Sequence, residues 1–185
     1  FGDSLGGGTG LFYFAGHGVQ IEGRNYLIPV GAPIRRPDEV RYQSVDANLI
    51  LDKMQSARNP MNIVILDACR NDPFARASRS IGGGLAQMDA PVGTLLAYAT
   101  APGKLAADGL GSVNDKYGLY AQQLARHVLT PGLPVEHVFK RVREAVVRAS
   151  REAQVPWESS SLQGEFSFVP AVATARDGAV DAEAA

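Results

Sequence analysis

A chain of 185 residues, 45% hydrophobic and 20% charged, has the makeup of an ordinary globular protein and the length of one domain. Its 18 Lys and Arg are interspersed with 19 Asp and Glu, so it lacks the one-signed patch that a nucleic-acid partner requires. A single cysteine, Cys69, excludes an intramolecular disulfide and a multi-cysteine zinc site, and no apolar run reaches the ~18 residues of a membrane span.

Gly6, Gly7, Gly8 and Gly10 make a loop leading into residues 11–15, an aromatic-rich apolar run that predicts a buried strand with His17 just past its end. Residues 26–30 predict a second strand, and the Pro- and Arg-rich stretch 31–41 a loop. Ser44 is the expected cap of a helix in which Ala47, Ile50, Leu51 and Met54 share one face. Asn62-Ile63-Val64-Ile65-Leu66 reads as a strand buried on both faces, with Cys69 just beyond it.

From residue 71 to 91 the composition turns to Arg, Ser, Gly and Asp, which predicts a long mobile connection. Residues 93–100 form a further expected strand. Two amphipathic helices follow, over 117–129 and 135–150, the second with Val135, Val138, Phe139, Val142 and Val146 on one face. The alternation in residues 165–169 predicts a last strand, and the Ala-, Asp- and Glu-rich residues 170–185 predict a linker or disordered tail. Strands alternating with helices predict an α/β fold with a largely parallel sheet, whose functional groups gather beyond the carboxyl ends of the strands.

His17 and Cys69 both follow a strand in this reading. A thiol with a reference pKa of ~8.5 is only slightly ionised at neutral pH, so a cysteine nucleophile needs an imidazole to take its proton and later protonate the leaving amine. Parallel strands can bring two such residues together although 52 positions separate them. His127 and His137 lie off the apolar stripes of their helices and read as surface residues. Two other motifs fail on inspection. Gly2-Asp3-Ser4-Leu5 spells a serine-esterase signature without the later Asp three residues before a His, and Gly6–Gly10 lacks the Lys-Ser/Thr of a phosphate-binding loop.

Phe12-Tyr13-Phe14-Ala15-Gly16-His17-Gly18 and Ile63-Val64-Ile65-Leu66-Asp67-Ala68-Cys69-Arg70 resemble the two signature segments of the caspase and metacaspase superfamily, at the ~50-residue separation expected of caspases. Gly23-Arg24-Asn25-Tyr26-Leu27-Ile28-Pro29-Val30, Ala97-Tyr98-Ala99-Thr100-Ala101-Pro102-Gly103 and Val155-Pro156-Trp157-Glu158 look like its bacterial, orthocaspase branch.

The resemblance implies a caspase-like α/β sandwich with helices on both faces of the sheet, and a cysteine endopeptidase without a cofactor. His17 would be general base and acid and Cys69 the nucleophile, with the backbone N–H groups of Gly18 and Cys69 as oxyanion hole. The family's fold begins with elements absent here. Residues 1–169 are therefore expected to be the carboxyl-terminal portion of a catalytic domain, and the upstream part of that domain to be a partner.

Caspases that cut after Asp carry Gln two residues before the nucleophile and an Arg after the Pro-Gly. This chain has Asp67 and Asp108 at those places, which implies a pocket that rejects acidic side chains and takes Arg or Lys from protein or peptide substrates. Ala15 stands where metacaspases have Ser, and their acidic calcium cluster is not recognisable, so no metal is expected. Arg70, Arg76 and Arg79 follow the nucleophile and are candidate self-cleavage sites. The alternative from another class is a non-catalytic caspase-like signalling or scaffold module, and a third reading is an esterase using the same dyad.

Overall fold

The computed structural model describes residues 2–69, 81–82, 84–102 and 117–171. At its centre Ile63, Val64, Ile65 and Leu66 are each no more than 3% exposed, as expected of a β-branched run covered on both faces. They belong to β4 (Met61–Cys69), which pairs in parallel with β1 (Thr9–Ile21) on one side and β6 (Thr94–Tyr98) on the other. The flanks are antiparallel: β7 (Trp157–Ser160) on β6, β2 (Arg24–Ile28) on β1, and β3 (Val45–Asp46) on β2. A two-residue strand, β5 (Ile81–Gly82), pairs with β1 at Gln20 and Ile21.

Among the described residues, besides the single turn α1 (Val40–Gln43), three helices cover this sheet: α2 (Ala47–Ser56), α3 (Leu119–His127) and α4 (Val135–Ala149). Because strand side chains alternate, Ile63 and Ile65 pack with Tyr120, Leu124, Phe139 and Val142 of α3 and α4. Val64 and Leu66 pack with Leu51 and Met54 of α2 on the opposite face. The fold is the expected α/β arrangement with helices on both faces. No described helix is long and apolar enough to cross a membrane, and no metal-binding cluster of His, Cys, Asp and Glu occurs among the described residues.

Several boundaries depart from the sequence reading. Helix α2 is capped by Asp46, whose side chain accepts from the Asn48 amide at 2.9 Å, rather than by Ser44. Pairing of Val45 and Asp46 with β2 keeps the chain extended through position 46 and delays the helix. Helix α3 starts at Leu119, so Tyr117 is 70% exposed and off the buried stripe.

The stretch expected as a last strand packs on helices instead. Phe166 and Phe168 meet edge to face at 5.2 Å and lie against the α3/α4 core, while the Val135 amide donates to the Phe166 carbonyl at 2.7 Å. The edge strand beyond β6 is β7, which contains Trp157 and Glu158.

Residues 84–91, the later part of the connection after β4, are more structured than their composition suggests. Leu85 and Met88 are buried in the α2 core, and the Met88 amide donates to the Tyr98 hydroxyl at 3.1 Å. The Asn25 side chain donates to the Ala86 carbonyl at 2.8 Å and accepts from the Ala86 amide at 2.7 Å. Residues 70–80, 83, 103–116 and 172–185 lie outside the described residues, and with them the self-cleavage candidates, Asp108 and most of the expected tail.

Candidate active site

His17 lies within β1 rather than past its end, where the strand changes partners. Its register partner on β4 is Cys69, the last residue of that strand, and its partner on the other side is Ile28, the first contact with β2. Strand β1 continues to Ile21 because β2 and then β5 take up its backbone groups once β4 has ended. Paired positions on adjacent strands are about 4.8 Å apart, so backbone register alone makes residues 17 and 69 neighbours. His17 is exposed; of Cys69 the backbone alone is described.

Gly18 follows on β1 and is buried, with Leu27 as its partner. A Cβ at this position would lie 2.9 Å from Leu85 Cδ2 and 3.0 Å from Ala68 Cβ. Glycine here lets Leu85 and Ala68 close against the strand beside the histidine.

Asp67 lies two residues before Cys69, with Ala15 as its register partner, and is 5% exposed. Burial pushes its carboxyl up to about 6 against an opposing hydrogen bond from Tyr13, whose hydroxyl donates to Oδ2 at 3.2 Å. Tyr120 of α3 is 2% exposed, and its phenol is pushed up by burial first and then by Asp67 and Tyr13, with Arg143 acting the other way. Arg143 of α4 is ion-paired with Glu158 of β7 and donates from Nε to the Pro156 carbonyl at 3.1 Å. Glu158 thus locks the edge strand to α4.

The site therefore brings together His17, the Cys69 backbone, Gly18 and Asp67 at one end of the β1–β4 pair. His137 is exposed on α4 and His127 half-buried on α3, both outside this cluster. Sequence reasoning missed Tyr13, whose apolar setting reads as strand core, and Asn25, whose clip to Ala86 spans 61 residues. The same face of β1 carries an apolar cavity of about 560 Å³ lined by Leu11, Tyr13, Ile65, Leu124 and Phe168, with Leu11 and Tyr13 48% and 44% exposed.

A family model described as Caspase domain matches residues 6–167. The human mucosa-associated lymphoid tissue lymphoma translocation protein 1 and its mouse homolog are 36% identical to this chain over 61 residues, which is 33% of this chain and 7% of theirs. The crystal structure of drICE aligns with a TM-score of 0.50 at 14% identity, over 90% of this chain and 66% of that one.

Proposed function

This chain belongs to the caspase-domain family of cysteine peptidases, and from that premise we propose that it cleaves peptide bonds after Arg or Lys through an acyl-enzyme on Cys69. The observation that carries the proposal is the register pairing of His17 with Cys69. In this reading His17 takes the thiol proton as the sulfur attacks the scissile carbonyl, then gives it to the departing amine. Water, deprotonated by the same imidazole, attacks the thioester and releases the acid and the thiol. The Gly18 and Cys69 amides are the donors assigned to the developing oxyanion.

Asp67 is the carboxylate assigned to the substrate cation, with Asp108 as its proposed second. A desolvated carboxylate beside the nucleophile favours a guanidinium or ammonium and opposes an acidic side chain. The upstream part of the same domain is the proposed partner of the β1 face that carries Leu11 and Tyr13. The ladder of β1 to β2 begins at His17, while residues 9–16 are in register with β4. Leu11 and Tyr13 offer that partner an apolar face. Residues 1–169 remain the proposed extent of the catalytic portion.

The test is hydrolysis of matched fluorogenic peptides ending in Arg, Lys or Asp by the full-length protein and its Cys69→Ala variant. Cleavage after Arg or Lys that is lost in the variant is the expected result. Cleavage after Asp would overturn the assignment of Asp67, and no cleavage would leave a binding or scaffold module as the better reading.

A further inference from the structure

Asp67 is buried, yet its nearest neighbour across the sheet offers it nothing polar. The register partner is Ala15, whose methyl group cannot hydrogen-bond a carboxylate on the adjacent strand. Tyr13 stands two positions earlier on β1, on the same face by strand alternation, about 6.7 Å along the chain direction. A phenol ring spans that diagonal, and the hydroxyl meets Asp67 Oδ2 at 3.2 Å. Tyr13 is 44% exposed and lines the apolar cavity with Leu11, Ile65 and Leu124. Its apolar body thus rests in the groove while its polar end reaches the site.

Resting on the assignment of Asp67 to the substrate cation, we propose that Tyr13 is a positioning residue for substrate selection, its hydroxyl holding the Asp67 carboxylate in the orientation that receives the basic side chain. A carboxylate fixed before the substrate arrives loses less freedom on pairing, and a planar guanidinium rewards fixed oxygens more than a mobile carboxylate does. Tyr13 touches none of the reacting atoms in this scheme, so its effect belongs in KM.

Among the described residues, the groups facing Asp67 are Tyr13 from β1 and Tyr120 from α3, with Arg143 of α4 acting on Tyr120 from beyond; His17 is two positions past Ala15. Burial and the Tyr13 hydrogen bond act on Asp67 in opposite directions. Removing the hydroxyl leaves burial unopposed, so the loss of affinity for a cation on acidification should begin at higher pH.

The experiment compares the full-length protein with Tyr13→Phe, on peptides ending in Arg and in its uncharged near-isostere citrulline. Expected for Tyr13→Phe is a KM for the Arg peptide raised about ten-fold, the scale of one hydrogen bond to a charged group. Its kcat and its rate on citrulline should be unchanged, and the acid limb of the Arg kcat/KM profile should move to higher pH. Adding Ala15→Ser, which offers a hydroxyl from the register partner, should restore the Arg preference.

An unchanged ratio of Arg to citrulline cleavage in Tyr13→Phe would overturn the proposal, as would an equal fall in kcat on both peptides. A wild-type protein that does not distinguish Arg from citrulline would instead sink the assignment of Asp67 itself.

Discussion

His17 and Cys69 are register partners across the β1–β4 seam, at the position where β4 ends and β1 turns to β2 for its pairing. Two residues held on adjacent strands by backbone hydrogen bonds need little side-chain searching to meet. If they act as one unit, their losses should not add. His17→Ala is expected to lower kcat by about 10²- to 10⁴-fold on an Arg peptide, the range of a general acid–base group. Combining it with Cys69→Ala should cost nothing beyond Cys69→Ala alone. A double variant slower than either single one by the product of their effects would show that the two residues act independently.

Asp67 links the proposed specificity to stability. Its carboxyl is raised from 3.8 to about 6 in the folded chain, so between those values the folded state holds a proton that the unfolded state has released. Stability contributed by this group therefore falls as pH rises from about 4 to 6, and above that window the ionised buried carboxylate costs about 3 kcal/mol. Asp67→Asn removes the charge while keeping the shape. Its melting temperature should exceed that of the wild type at pH 7.5 and match it near pH 3.5, while cleavage after Arg is lost. Equal melting temperatures at both pH values would mean that Asp67 is not desolvated in the folded protein.

Much of this was readable beforehand because local chemistry and tertiary role coincide. Ile63-Val64-Ile65-Leu66 has one use, a strand covered on both faces, and the valine stripe of α4 likewise suits only a covering helix. Misreadings arose where a distant partner decided. Ser44 is as good a cap as Asp46 until β2 extends the chain past it, and Phe166 and Phe168 alternate like a strand although their packing partners are helices. Tyr13 belongs to the same class. Nothing in its immediate neighbours says that its hydroxyl will meet a carboxylate 54 residues away.

Gly18 is constrained by space. The Cβ of Gly18→Ala would crowd Leu85 Cδ2 at 2.9 Å and Ala68 Cβ at 3.0 Å, and while the leucine tip can turn aside, a methyl on the neighbouring strand cannot. The expected cost is about 1–3 kcal/mol, the usual range for overpacking a filled core. Leu85→Ala in the same chain should recover part of it, so the double variant should be more stable than the sum of the single effects by at least about 0.5 kcal/mol in denaturant unfolding. Strict additivity would mean that Leu85 is not what the new methyl meets.

Asn25 holds the segment that carries Leu85. It is fully buried, and its amide satisfies both the carbonyl and the N–H of Ala86, one residue beyond the leucine that packs over Gly18. Asn25→Ala leaves both Ala86 backbone groups without these partners in a part-buried setting, at a cost of about 1–3 kcal/mol. Asn25→Asp keeps the acceptor for the Ala86 N–H but sets a carboxylate oxygen against the Ala86 carbonyl, so it too should destabilise at neutral pH. Unlike the alanine variant it should recover on acidification, when a protonated carboxyl can again donate. Hydrogen exchange at Ala86 reads the contact directly: its amide should exchange faster at pH 7 in Asn25→Ala, which removes the acceptor. Unchanged protection there, with stability lost, would place the role of Asn25 in β2 itself rather than in the clip.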